Sequence, residues 1–131
     1  NMLQAKMMAE TVIKNVEADI DEVWGSEVNL CYPGLYAGTT DLVGIYKGRP
    51  TIMDFKQTNR PKKREWIDDY FMQAAAYGMA HNEVFGTKIE HTAIFMCSRD
   101  LTWQLWEAGP EEFKVWEEKW ANRVAEFYNL S

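Results

Sequence analysis

The stretch TTDLVGIYKGRPTIMDFKQTN, residues 39–59, carries Asp41, Asp54 and Lys56 where the surrounding pattern calls for buried apolar side chains. Unpaired charge is costly in a core. These groups therefore neutralise one another, or they hold something else. Lys47-Gly48 has glycine in the second position of a two-residue hairpin turn. Such a turn sets Tyr46 opposite Arg49 and Asp41 opposite Asp54, with Cβ atoms about 5 Å apart. Lys56 lies two residues beyond Asp54 and points to the same face. A bulge near the turn would shift the register by one. Two carboxylates that close repel, so one takes a proton or a cation sits between them. Lys56 can neutralise only one. Oxygen donors on adjacent strands suit Mg²⁺ or Mn²⁺, which keep several waters and take one or two carboxylates. Such an ion polarises a phosphate oxygen and acidifies a bound water. Lys56 would orient or deprotonate that water, or steady charge on the transition state. The combination suits hydrolysis of a phosphodiester. A structural ion cluster at a sheet end is the alternative that the two aspartates alone also fit.

Two further groups lie downstream. Lys56, Arg60, Lys62, Lys63 and Arg64 fall in KQTNRPKKR, residues 56–64, with no acid among them. A basic loop on an acidic body can grip phosphate, and it can equally be a solvated loop. Thr58, in the same stretch, could donate to a phosphate. Gln73 and Tyr77 are four apart in QAAAY and share one helical face. The alanines between them leave a slim helix that packs closely on a sheet. Gln73 and Tyr77 could hydrogen-bond phosphate or a base, or be a boundary residue and a core aromatic.

The elements that must position these groups read as follows. Residues 2–22 have helical spacing in Leu3, Met7, Val12, Val16 and Ile20. Residues 27–32 read as a strand ended by Pro33-Gly34. Residues 36–46 and 50–57 form the hairpin, and Pro61 breaks the pattern. A helix is expected from about Trp66 to Phe85, with Asp68 and Asp69 in its first turn and Gly86 as its stop. IEHTAIFMCS and TWQLWEA are two more strands, joined at Arg99-Asp100. A last helix follows Gly109-Pro110, with Phe113, Trp116, Trp120, Val124 and Phe127 in one stripe. The order is α-β-β-β-α-β-β-α. It implies an α/β fold with a central mixed β-sheet flanked by helices on both faces.

The bulk of the chain bounds the classes. At 131 residues and 47% hydrophobic, rich in aromatics, it is expected to form one domain with a proper core. No apolar run nears the roughly 18 residues of a membrane span, and no secretory leader opens the chain. The opening NMLQAKMMAE reads like the middle of a helix, so the chain is expected to belong to a longer one. Net charge −6 argues against a protein that coats DNA through general basicity. Cys31 and Cys97 lie far apart without CxxC spacing. They read as buried free thiols in a reducing, intracellular setting. Two cysteines also exclude a four-cysteine iron–sulfur or zinc site within this chain.

GTTD (Gly38 to Asp41), DFK (Asp54 to Lys56) and QAAAY (Gln73 to Tyr77), in this order and spacing, resemble the PD-(D/E)XK nuclease superfamily. They are most similar to its RecB-like exonuclease branch, with GxxD, (D/E)xK and QxxxY as signature. The mitochondrial single-strand exonucleases and phage exonucleases are the nearest groups, and the likeness covers roughly residues 27–80. The resemblance implies a restriction-endonuclease-like core and a Mg²⁺- or Mn²⁺-dependent deoxyribonuclease without an iron–sulfur cluster. It implies Asp41 and Asp54 as metal-binding carboxylates, the Phe55 carbonyl as a further ligand, and Lys56 as the catalytic lysine. Gln73 and Tyr77 would hold substrate or the lysine. An upstream acid completes the set in many members. Glu27 is the choice here, with Glu17 and then Glu10 as runners-up. Where close relatives often carry a small polar residue directly after the lysine, this chain has Gln57 and then Thr58. The expected partner is DNA, single-stranded or at ends, with Arg60, Lys62 and Lys63 drawing in the backbone and Tyr36 or Trp66 stacking on bases. No membrane is expected as a partner, and the setting is the cytoplasm, a host's for a viral protein. A sequence- or structure-specific endonuclease and a non-catalytic nucleic-acid-binding module are the rivals. His81 and His91 match nothing in the pattern and read as surface or structural residues.

Overall fold

The computed structural model describes residues 2–32 and 36–128, and within 27–41 it describes the course of the backbone only. Helix α1 spans Met2–Val16 and leads through a 3-10 turn, Glu17–Asp19, into strand β1, Ile20–Tyr32. Strands β2 (Tyr36–Tyr46) and β3 (Arg49–Thr58) follow. A second 3-10 turn, Arg64–Trp66, precedes α2, Asp68–Phe85. Strands β4 (His91–Ser98) and β5 (Trp103–Ala108) and helix α3 (Pro110–Phe127) complete the chain. The strands form one sheet in the order β1-β2-β3-β4-β5. Neighbours run antiparallel except β3 and β4, which are parallel. A parallel pair needs a crossover, and α2 supplies it. The mixed sheet, the element order and the helices on both faces are those expected. No helix of the described residues is long and apolar enough to cross a membrane.

The first helix ends six residues sooner than its apolar spacing predicts, and β1 starts at Ile20 rather than at residue 27. The hairpin turn supplies the reason. The Lys47 N–H donates to the Asp19 carbonyl at 2.8 Å, and the Gly48 N–H donates to an Asp21 carboxylate oxygen at 2.8 Å. Backbone donors at a turn need acceptors, and Asp19 at the end of the 3-10 turn and Asp21 at the start of β1 provide them. Ile20 still packs against the core beneath α1, but from a strand. The strand rides so close that a Cβ on Gly44 would lie 2.0 Å from the Glu22 carbonyl oxygen. Register shifts in β1 beside Glu22 and Gly25 accompany this approach.

Alternation splits β2 and β3 between two cores. On one face α1 sets Met8, Val12 and Val16 against Leu42, Tyr46, Met53, Phe95 and Cys97. On the other face α2 and α3 set Phe71, Ala75, Phe113 and Trp116 against Val43, Ile52, Ile94 and Met96. Residues 93–97 of β4 are all fully buried, as a central parallel strand requires. Cys97 is a buried free thiol whose pKa is raised by burial, and Cys31 has its side chain outside the described residues.

Helix α2 stops at Gly86, which takes φ 69° and donates its N–H to Asn82 O at 2.9 Å. The Asn82 side chain then fastens the link to β4. Its Oδ1 accepts from Ile89 N and from the Thr87 hydroxyl, both at 2.8 Å, and its Nδ2 donates to Ile89 O at 3.1 Å. The single Thr87 proton is thereby engaged. His81 Nδ1, 2.7 Å from Thr87 Oγ1, must therefore carry a hydrogen. The His81 ring lies between Trp24 and Phe85, with centroids 5.9 and 4.6 Å away. Both histidines are parts of the framework: burial lowers the His81 pKa, and burial followed by Arg49 lowers that of His91.

Two expectations follow. A Cβ on Gly78 would stand 2.5 Å from Cζ of Phe113, which is itself 1% exposed. Gly78→Ala should destabilise the fold by about 1–3 kcal/mol through overpacking. That exceeds the roughly 1 kcal/mol an exposed helix gains from the same change; a lower urea midpoint at constant m checks it. Protonation of His81 and His91 is easier in the unfolded chain, whose histidines titrate near 6.5. Their contribution is therefore full above that pH and is lost as pH falls below it. Glu117, whose pKa burial raises, acts in the opposite sense. The urea midpoint of His81→Leu should consequently change less than that of the parent between pH 7.5 and 5.5. Equal slopes would discard His81 as a source.

Candidate active site

The β2–β3 ladder pairs Tyr46 with Arg49, Ile45 with Pro50, Gly44 with Thr51, Val43 with Ile52 and Leu42 with Met53. Lys47 and Gly48 take φ 50° and 77°. Two positive φ values in a two-residue loop define the type I′ turn, whose twist matches that of the strands. The register is the one a Lys47-Gly48 turn predicts. The described ladder ends one step short of Asp41 and Asp54. The Asp41 side chain lies outside the described residues, as do those of Glu27 and Tyr36.

Asp54 and Lys56 are brought together. Lys56 Nζ stands 2.9 Å from Asp54 Oδ2, with the side chains 30% and 16% exposed. Ile52, two residues before Asp54, belongs to the core under α2 and α3. The intervening side chains turn the other way: Met53 enters the core under α1, and the Phe55 ring sits 5.3 Å from that of Phe95. Phe55 also holds its backbone in register beside Phe95 of β4. Lys56 Nζ lies 5.0 Å from the centroid of Tyr70 in the first turns of α2. The ammonium is thus held between a carboxylate and an aromatic face. Desolvation offsets much of what a mostly buried ion pair contributes, and an apolar pair in its place could be neutral or better. Folding alone does not require these two residues.

Helix α2 continues the site. Gln73 Nε2 donates to Tyr77 Oη at 3.0 Å. Tyr70, Gln73 and Tyr77 follow helical spacing and line one cleft of about 370 Å³ between α2 and α3. Asp69, Trp120 and Arg123 face the same space. Tyr70 therefore connects the Asp54–Lys56 pair with the cleft. The sequence pattern missed it, although its place three residues before Gln73 was the signal available.

The loop after β3 is held by a residue that no motif marks. Gln104 of β5 accepts from Lys62 N and donates to Lys62 O, each at 2.8 Å. Thr58 lends its carbonyl to Arg99 N at 3.0 Å, and its buried hydroxyl oxygen has no hydrogen-bond partner among the described residues. Arg60 and Lys63 are exposed, and Lys63 Nζ lies 5.3 Å from the ring of Trp66, itself 60% exposed. Arg64 differs from its neighbours. It bonds Asp68 at 2.8 Å, reaches Glu112 of α3 at 3.8 Å and covers the Phe71 ring at 4.1 Å. Arg64 thereby joins α2 to α3 and is taken up by the fold.

The runner-up acids do not reach the pair. Helix α1 packs on the opposite face of the sheet. Glu10 sits there, 3.9 Å from Lys6, and Glu17 lies in the 3-10 turn beside the start of β1, at the turn end of the hairpin. Among the described residues no three His, Cys, Asp or Glu side chains cluster tightly enough to hold a metal ion. Glu27 and Asp41 fall outside that set.

No protein-family model matches the chain, and no curated protein sequence does. Solved structures do. The chain is similar to the crystal structure of a putative exonuclease from Eubacterium rectale, with a TM-score of 0.57 at 15% sequence identity. The similarity covers 89% of this chain and 48% of that one, so the chain spans about half the length of that protein. The two share a fold.

Gln104→Ala removes both ties to Lys62, and net hydrogen bonds are worth about 1 kcal/mol each. The loop at 60–63 should then be cut by trypsin severalfold faster under native conditions, with little change in the far-ultraviolet circular dichroism. Unchanged cleavage would show that the loop is held by other means.

Proposed function

We propose that this chain is a divalent-metal-dependent deoxyribonuclease domain of the PD-(D/E)XK type, RecB-like branch, acting as an exonuclease on single-stranded DNA or DNA ends. One observation carries the reading: Asp54 and Lys56 form a 2.9 Å ion pair on the sheet face that bears Tyr70, Gln73 and Tyr77. The fold shared with the Eubacterium rectale protein supports it.

Strand register supports the choice of acids. One step beyond Leu42 and Met53 the ladder would set position 41 beside position 54. In β1, Ser26 pairs with Leu42 and Val28 with Thr40, which brackets position 27 beside position 41. We read Glu27, Asp41 and Asp54 as a row of acids across three strands. Together with the Phe55 carbonyl they form a hard-oxygen donor set that fits Mg²⁺ or Mn²⁺. The bound ion would polarise the scissile phosphate and lower the pKa of a water. Lys56 donates hydrogen bonds to the attacking water or to the phosphate oxygen that gains charge. Gln73 and Tyr77 position the strand from the helix side. Arg60, Lys62 and Lys63 attract the phosphodiester backbone, which the buried Thr58 hydroxyl does not reach, and exposed Trp66 offers a stacking surface.

Lys56→Ala should lower cleavage of end-labelled single-stranded DNA by at least about 100-fold and leave DNA binding within a few fold. EDTA should abolish cleavage, and Mn²⁺ should restore it. Covalently closed circular DNA should stay intact. Full cleavage in EDTA or by Lys56→Ala would refute the chemistry, and cutting of the circle would replace the exonuclease with an endonuclease.

A further inference from the structure

We infer that the cleft between α2 and α3 is a subsite for one unstacked nucleobase of single-stranded DNA, with Trp120 and Arg123 of α3 as its specificity-determining residues. The inference rests on the proposed nuclease reading and names the part of the substrate that the second helix layer selects.

The cleft measures about 370 Å³, within the roughly 300–1,000 Å³ typical of ligand sites. Three of the residues around it, Tyr70, Tyr77 and Trp120, are aromatic, and bases stack on such rings whatever their identity. Polar groups sit among them. Gln73 uses an amide hydrogen on the Tyr77 oxygen. The Gln73 carbonyl can still accept, and the Tyr77 hydroxyl can still donate. Both are suited to base edges. Arg123 is exposed, makes no ion pair among the described residues, and offers a planar cation that stacks on or hydrogen-bonds a base.

Charge argues for a base over a phosphate. Asp69 lines the cleft, and its carboxylate would repel a phosphodiester, whereas it can accept from a base N–H such as N3–H of thymine. Phosphate belongs instead at Lys56, which lies beside Tyr70. That one ring touches both regions, since Lys56 Nζ lies 5.0 Å from its centroid and the residue lines the cleft. A strand whose phosphate sits at Lys56 can therefore put an adjoining base into the cleft. A base held in a duplex stack could not enter, so the cleft favours single strands.

The test compares an oligothymidylate with an abasic oligomer of equal length, both labelled, by fluorescence anisotropy in EDTA. The parent protein should bind the oligothymidylate about tenfold more tightly. Trp120→Leu and Arg123→Gln should erase most of that difference while binding of the abasic oligomer holds. Trp120→Phe should restore it. Arg123 lies on the surface, so Arg123→Gln also serves if Trp120→Leu fails to fold. Parent-like discrimination in Arg123→Gln and a folded Trp120 variant would overturn the subsite. Cleavage in Mg²⁺ is read separately. Parent cleavage that both variants retain, with unchanged discrimination, removes the subsite and keeps the nuclease. Discrimination without any parent cleavage removes the nuclease and keeps the subsite. A parent that neither binds nor cleaves removes both.

Discussion

The Lys47-Gly48 turn decides which residue of β2 faces which of β3, and the arrangement of the candidate site depends on that choice. Both faces of this hairpin are covered. Val43 and Ile52 fill the core under α2 and α3, and Leu42 and Met53 fill the core under α1. A slip of one residue would exchange the two sets. It would also drive Asp54 and Lys56 beneath α1, among Met8, Val12 and Val16, where two charges have no water. The turn is reinforced from outside. Lys47 and Gly48 donate their N–H groups to Asp19 and Asp21, on either side of the start of β1, and the Lys47 ammonium meets Glu107 at 2.9 Å. The register of the charged pair is thus held by contacts at the far end of the hairpin.

Cations near the site divide by what surrounds them. Arg64 is planar and lies over Phe71 while it bonds Asp68 and approaches Glu112, a use for which lysine is poorly shaped. Lys56 is a compact charge between one carboxylate and one tyrosine ring. Arg60 and Lys63 remain at the surface of a loop whose backbone is fixed through Gln104. A loop pinned at its backbone can present flexible side chains to a polyanion without losing its own course.

Much of this architecture was legible in the residues. Glycine after Lys47, alternation on either side, and glycines and prolines between elements were enough for the order of elements along the chain and the hairpin register. The Asp54–Lys56 proximity followed from alternation alone. The end of α1 was not legible, because Ile20 fits a helical stripe and a strand equally. Only the distant turn at 47–48 decides between them. Gln104 and Tyr70 were also hidden. Their roles come from strands and helices meeting across more than forty and ten residues of chain respectively, and a local pattern carries no trace of such meetings. Glu17 and Glu10 stood behind Glu27 as runners-up because sequence does not say on which side of a sheet a helix will settle.

The parallel junction of β3 and β4 has a consequence for how the molecule comes together. Thr51 pairs with His91 and Thr58 with Ser98, so each partner is some forty residues away. The hairpins β2–β3 and β4–β5 close short loops and can form early, whereas their union must wait for α2 to cross over. Asp54 and Lys56 lie on the very strand that makes this late union. The ion pair can form within a lone hairpin, but the Tyr70 ring that covers it arrives only with the crossover. Intermediates on the way to the native state would accordingly lack the finished candidate site, which would be complete only with the closing of the sheet.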